Sequence, residues 1–246
     1  MIIYGINPVA EAFRRKRRRP TRLFITRGKS GHRLQGILEQ ARAEGISVRF
    51  EAVKVLTAKA RTSHHQDIVA EIAEADRGDV ESLLASRPRL LLLADGVEDP
   101  QNLGAVIRTA EAAGVEGILL PDRRSCGVTA AVVKSSAGAA LHLPTFQIGN
   151  VVRFLKRLKG LGFWVVGLDM LGPQRPEEVK VDLPLVLVVG GEHRGLRTLV
   201  RRHCDFLVSL PMFGKMSSLN LSVAAGIVLY QIVLRREKLT GARRSD

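Results

Sequence analysis

The chain has 246 residues, 46% of them hydrophobic, enough for a sizeable core in one large or two small domains, which excludes a chain disordered throughout. Lys and Arg number 38 against 24 Asp and Glu, a formal net charge of +14, and such an excess favours a polyanionic partner, nucleic acid above all, because neutralising phosphates releases counterions. No apolar run approaches the roughly 20 residues of a membrane span, and the amino terminus has no basic segment followed by a hydrophobic signal core, so a cytoplasmic location is expected.

Residues 1–76 read as a compact α/β module. Asn7-Pro8 has the form of an N-cap followed by a first-turn proline, opening a helix through Val9, Ala12 and Phe13. A strand from Thr21 to Thr26, a helix from Arg33 to Ala43, a strand from Ile46 to Glu51, a helix from Val53 to Arg61 and a strand from Asp67 to Ala73 follow. This front part and the remaining 170 residues each carry a net charge of +7, so charge density is more than twofold higher at the front. The run Arg14-Arg-Lys-Arg-Arg-Arg19 reads equally as a solvated face or a phosphate contact, and a second basic cluster holds Arg235, Arg236, Lys238, Arg243 and Arg244. In Asp76-Arg-Gly-Asp-Val-Glu-Ser-Leu-Leu-Ala-Ser-Arg-Pro88, charge, Gly and Pro break the apolar periodicity, which predicts a linker over 77–88 and a second domain over 89–246.

The second domain alternates strands and helices. Strands are expected at 90–94, 117–120, 141–143, 163–168, 184–189 and 206–210, and helices near 102–113, 128–137, 150–159, 196–202 and 219–238, giving a mostly parallel sheet with helices on both faces. The last helix is apolar nearly all round and must be buried, in the core or against another subunit. Cys126 and Cys204 have no metal-ligand spacing and read as small buried hydrophobes. His64 and His65, adjacent on a strand, would point to opposite faces, so no metal site is predicted.

Three stretches set polar residues directly beside apolar runs: Asn102-Leu-Gly-Ala-Val-Ile-Arg108, Gly190-Gly-Glu-His-Arg-Gly195 and Ser217-Ser-Leu-Asn-Leu-Ser222. Two of them follow strands and would lie at the carboxyl ends of a sheet, where open α/β folds bind ligands. Each also has a plainer reading. Asn102 could be a helix cap and Arg108 a surface arginine, Gly190-Gly191 a strand-to-helix turn with Glu192 beside it, and Ser218 or Asn220 the cap of the final helix. No dinucleotide fingerprint or phosphate loop of the Walker type is present.

In this order, Asp99-Pro-Gln-Asn-Leu-Gly-Ala-Val-Ile-Arg-Thr-Ala, Val189-Gly-Gly-Glu-His-Arg-Gly and Leu210-Pro-Met through Ser218-Leu-Asn-Leu-Ser-Val-Ala resemble the motifs of the SpoU/TrmH family of RNA ribose 2′-O-methyltransferases, in the knotted SPOUT class, over residues 88 to 236. Tyr4-Gly-Ile-Asn-Pro-Val-Ala-Glu-Ala and His65-Gln66-Asp-Ile-Val are similar to the L30e-like substrate domain of that family, with Asp67 where the family pattern has glycine. The resemblance implies an L30e-like α/β domain followed by a trefoil-knotted α/β domain, an obligate homodimer, and S-adenosylmethionine contacted by Gly190, Leu210 and Leu219. It implies a reacting site of Asn102, Arg108, Glu192 and Asn220. Since methyl transfer chiefly needs the acceptor oxygen aligned, Arg108 is expected against the ribose and its phosphate, with the two asparagines fixing local geometry and Glu192 orienting the arginine or a neighbouring loop. The expected substrate is RNA rather than DNA, a guanosine of 23S rRNA first. A tRNA or another rRNA site, or a non-catalytic RNA-binding protein, stand as alternatives.

Overall fold

A computed structural model describes residues 1–14, 19–73, 79–192 and 194–241. Arg15 to Arg18, His193, Arg243, Arg244 and residues 74–78, of which 77 and 78 open the expected linker, lie outside the described residues. In chain order the elements are β1 (Ile2–Tyr4), α1 (Ile6–Phe13), β2 (Pro20–Thr26), α2 (His32–Ala43), β3 (Ser47–Glu51), α3 (Val53–Ala60), β4 (Ile68–Ile72), α4 (Val80–Ala85), β5 (Leu90–Asp95), α5 (Pro100–Ala112), β6 (Gly117–Pro121), α6 (Ala130–Ser135), β7 (Thr145–Ile148), α7 (Val151–Gly160), β8 (Trp164–Leu168), β9 (Leu185–Gly190), α8 (Thr198–Arg201), β10 (Phe206–Val208) and α9 (Leu221–Thr240). No helix among the described residues is long and apolar enough to cross a membrane.

The chain packs as two compact units, Met1–Arg77 with Val128–His142, and Gly78–Gly127 with Leu143–Asp246. The sequence reading keeps all of 89–246 together. The packing instead groups 128–142 with the first unit, because α6 is too short to bury its own apolar side and Ala130 packs on the cluster of Tyr4, Phe24, Leu56, Ala60 and Val69. The strand expected at 141–143 is absent: Ala139–Leu141 is a single 3-10 turn, and the strand begins at Thr145.

The first unit is a four-stranded sheet in the order β1-β4-β2-β3, with β4 antiparallel to both of its neighbours and β2 parallel to β3. β1 has only three residues, too few for a period to register in the sequence. Helix α1 starts one residue before the Asn7-Pro8 pair, with Gly5 at its N-cap. The Gln66 side-chain oxygen accepts the Ile6 amide at 3.2 Å, so an amide freed at the helix start is satisfied from another loop and no Asn cap is needed. Asn7 instead accepts a bond from Arg33. His64 and His65 lie in the turn before β4, not on a strand, and only His65 is buried. Its Nδ1 accepts the Asp67 amide at 3.1 Å, which places its proton on Nε2, toward the Thr57 hydroxyl 3.1 Å away.

The second unit is a six-stranded sheet in the order β10-β8-β9-β5-β6-β7, parallel throughout. Every residue of β5 and β9 is buried, which explains why both read as unbroken apolar runs: helices cover both faces of the sheet. The predicted linker contains α4, capped by Asp79 and anchored by buried Leu83, while Arg157 grips both oxygens of Glu81. Cys204 is half-buried, its thiol donates to the Val200 carbonyl at 3.4 Å, and burial pushes its pKa up to about 12. Arg235 and Arg236 serve the fold: Arg236 donates to the carbonyls of Val181, Arg89 and Leu183, and Arg235 to that of Pro176.

Helix α9 is buried on one side only, through Ala225, Val228, Leu229 and Ile232. Val223, Ile227, Tyr230 and Leu234, spaced three and four residues apart on another side, are 39–50% exposed. The all-round apolar character therefore divides into a core stripe and an open stripe.

Gln66 and Asp67 both have left-handed backbones, at φ 54° and 60°. That conformation is the physical reason glycine suits position 67, since a side chain there costs about 1 kcal/mol. Asp67→Gly should therefore raise the unfolding free energy by about 1 kcal/mol at unchanged denaturant slope. A loss of stability in a urea titration would contradict the backbone argument.

Candidate functional site

The site lies in the second unit, at the carboxyl ends of β5 and β9. From β5 the chain proceeds outward to β6 and β7, whereas β9 borders β5 on the other side, so the strand order reverses between these two. Parallel sheets open a crevice at such a point.

Helix α5 starts there. Asp99 is its cap, accepting the amides of Gln101 at 3.2 Å and Asn102 at 3.1 Å, with Pro100 in the first turn. Asn102 lies near the amino end as expected but is not the cap, which leaves its side chain free for the crevice. From β9 the chain turns through Gly190 and Gly191. A Cβ on Gly190 would overlap the Gly195 carbonyl, and one on Gly191 would overlap the Gly96 carbonyl oxygen. The Gly195 amide donates back to the Gly191 carbonyl at 2.9 Å. Backbone thus passes backbone where no side chain fits, and Glu192 is delivered beside α5.

The three polar stretches meet in one hydrogen-bonded chain. Asn102 Nδ2 donates to Glu192 Oε1 at 3.0 Å, and Asn220 Nδ2 donates to Asn102 Oδ1 at 2.9 Å. Asn220 Oδ1 accepts the Ser222 amide at 2.8 Å and hydroxyl at 2.6 Å, which caps α9. Cap and site residue are therefore one and the same at position 220. Each amide has only one orientation that works, since the carboxylate of Glu192 accepts only. Arg108 is not in this chain: it is exposed on α5, six residues after Asn102, about 9 Å further along the axis and about 120° around it.

A cleft of about 680 Å³, a size suited to a small-molecule ligand, runs from this chain across the ends of β8, β9 and β10. Gly190, Leu210 and Leu219, the three expected cofactor contacts, all line it, together with Leu168, Leu196 and Asp169. Apolar walls for a flat base and backbone and carboxylate groups for polar ends fit an adenosine-bearing sulfonium. A second cleft of about 820 Å³ shares Asn102, Gly191, Glu192, Arg194 and Gly195 with the first and is otherwise lined by Asp95, Gly96, Glu98, Asp99, Arg124 and Arg197. Burial raises the pKa of the neighbouring Cys126 thiol, and the negative charges of Asp99 and Glu192 raise it further.

Residues 89–230 match the family model for the SpoU rRNA methylase family, and residues 2–78 that for RNA 2′-O ribose methyltransferase substrate binding. The chain belongs to the SpoU rRNA methylase family. It is 42% identical over 241 residues, 96% of this chain and 97% of the relative, to the 23S rRNA (guanosine-2′-O-)-methyltransferase RlmB of Shewanella oneidensis. The RlmB of Neisseria meningitidis is 39% identical over 244 residues, covering 96% and 98% of the two chains. Among solved structures, the SpoU methyltransferase AviRb of Streptomyces viridochromogenes in complex with the cofactor AdoMet superposes with a TM-score of 0.79 at 24% identity, over 96% of this chain and 90% of that one. Its fold is the fold of this SpoU-family chain.

One pair escaped the sequence reading. Asp95, 1% exposed at the end of β5, accepts two bonds from Arg197, Nε to Oδ2 at 2.9 Å and Nη2 to Oδ1 at 2.5 Å. A carboxylate ending the run Leu90-Leu-Leu-Leu-Ala94 was its only signal, and its partner, 102 residues on, had none. Arg197→Ala strands this carboxylate without a partner and should cost about 3 kcal/mol or more. Asp95→Asn should cost less, because a 42% exposed arginine side chain keeps its water. Chemical denaturation of the two variants checks this order, and the reverse order would refute it.

Proposed function

We propose that this protein transfers a methyl group from S-adenosylmethionine to a ribose 2′-hydroxyl of RNA, that of a guanosine in 23S rRNA. The observation that carries the reading is the hydrogen-bonded chain Glu192–Asn102–Asn220, drawn from three distant stretches to the mouth of a cleft lined by Gly190, Leu210 and Leu219. The 37–42% identity to the RlmB enzymes supports the guanosine and the 23S rRNA. The basic front unit, matched by a substrate-binding model, supports an RNA partner met in the cytoplasm. The tight passage of Gly190 and Gly191 against Gly195 and Gly96 supports a trefoil knot around the cofactor loops.

S-adenosylmethionine supplies a methyl carbon on an already activated leaving group. The chain's own residues have to align the acceptor oxygen and keep the site's geometry while the hydroxyl proton departs. Asn102 and Asn220, each committed to two or more bonds, hold the mouth of the cleft rigid, and Glu192 retains Oε2 for a donor from the substrate or from an arginine. Arg108 positions a phosphate that flanks the ribose, through the planar fork of its guanidinium.

Arg108 reaches the reacting site from a second copy of the chain. The open stripe Val223, Ile227, Tyr230 and Leu234 on α9 is the face of a homodimer, and α5, which bears Arg108, packs beside α9, with Thr109 against Gly226.

A 23S rRNA transcript with a single 2′-deoxy substitution at the target should accept no methyl group, because the acceptor atom is gone. Methylation of that substrate would point to base chemistry instead. Arg108→Ala should abolish turnover with S-adenosylmethionine affinity changed no more than a few fold, and near-normal turnover would remove Arg108 from the mechanism. Ile227→Asp should convert the protein from dimer to monomer in sedimentation velocity and silence it, and a wild type that sediments as a monomer would refute the interface.

A further inference from the structure

The loop after β6 holds a residue that the chemistry above does not use. Arg124 has φ 61°, a left-handed backbone that an arginine adopts only at a cost. Two residues on, the Cys126 amide donates to the Val97 carbonyl at 3.4 Å, tying this loop to the one that follows β5. The Arg124 side chain is exposed and has no hydrogen-bond or ion-pair partner among the described residues. A strained backbone that presents an unpaired cation persists where function needs the cation there.

Arg124 lines two clefts at once. One is the 820 Å³ cleft beside Asn102 and Glu192, and the other is a groove of about 590 Å³ lined also by Arg123, Asn150 and Leu199. Arg197 borders both as well but is committed to Asp95. In the first cleft, Asp95 is neutralised by Arg197, both oxygens of Asp99 accept helix amides, and Glu192 accepts from Asn102. Among the described residues, the groups of this cleft without a partner are therefore the Glu98 carboxylate, the second oxygen of Glu192 and the cations of Arg124 and Arg194. A free inorganic anion would meet too much negative charge here. A nucleotide would not, since it carries its anion at one end and hydrogen-bond donors on its ribose and base at the other.

We propose that Arg124 is a substrate-positioning residue. Its guanidinium holds the other of the two phosphates flanking the target nucleotide, not the one given to Arg108, and so joins that nucleotide, seated in the cleft beside Asn102 and Glu192, to a neighbour lying in the groove beside Arg123. This rests on the methyl-transfer reading given above and adds to it the path of the RNA strand across the site. A guanidinium suits the task because its planar fork can bind two phosphate oxygens together.

Backbone strain supplies the decisive control. Arg124→Gly removes the cation and relieves the left-handed conformation, so the variant should melt no lower than wild type, and Arg124→Asn, which also tolerates this backbone, should behave alike. With the full-length protein and a 23S rRNA transcript, both variants should raise KM for RNA at least tenfold with a smaller change in kcat. Affinity for S-adenosylmethionine should stay within twofold. The slope of log RNA affinity against log salt concentration should fall by about 0.7–0.9, the value for one phosphate contact, and Arg124→Lys should restore most of that slope. A wild type that methylates the transcript while Arg124→Gly and Arg124→Asn match it in both KM and salt slope overturns the clamp and leaves the enzymatic reading standing. A wild type that binds the transcript but transfers no methyl group overturns the enzymatic reading and the clamp with it.

Discussion

Backbone passing backbone at the end of β9 is the constraint on which the site depends. Gly190 and Gly191 lie so close to Gly195 and Gly96 that neither position has room for a Cβ, and the loops after β5 and β9 meet there. Those strands are neighbours at the point where strand order reverses, and the loops that follow them touch backbone to backbone before they separate. Glu192, placed directly after the crossing, meets Asn102 in the first turn of α5 without a long side-chain reach. A larger residue at either glycine would push these loops apart, and with them the wall shared by the two clefts.

Around this crossing the protein keeps its charges in definite pairs. Asp95 is nearly inaccessible and bound through both oxygens to Arg197, which ties the end of β5 to the segment before α8. Asp99 spends both oxygens on helix amides. The groups left over face outward: Arg124, Arg194 and Glu98 around one cleft, with Arg108 exposed further along α5. Buried charges thus hold the scaffold while the exposed ones border the clefts, in keeping with the cost of leaving a buried ion unpaired. The carboxyl-terminal arginines show the same division, since Arg235 and Arg236 are bound to main-chain carbonyls even though the sequence presents them as part of a basic cluster.

The central strands were legible because helices cover them on both faces, which leaves runs such as Leu90 to Ala94 and Leu185 to Val189 with no polar interruption. Most helices were legible from their apolar period, α5 and α7 to within two residues of either end. Where the reading erred, a partner distant in the chain had intervened. Gln66 satisfies the amide that would otherwise have needed Asn7 as a cap. Residues 139–141 pack with the first unit as a 3-10 turn, where a strand was expected over 141–143. At position 67 the left-handed backbone explains why glycine is the natural occupant, a fact the residue Asp67 could not itself disclose.

By itself the sequence determined the alternation of strands and helices in the second unit, the basic character of the front, and the three polar stretches that could only belong to a site if they met. Local periodicity and residue chemistry suffice for these, since each depends on neighbours within a few positions. Only the tertiary structure decided that Asn102, Glu192 and Asn220 join in one hydrogen-bonded chain, that Asp95 has Arg197 for a partner, and that Arg108 stands apart from that chain on α5. The bonded pairings span 90 to 118 residues of chain, and no local pattern records which distant backbone a close-packed loop will meet.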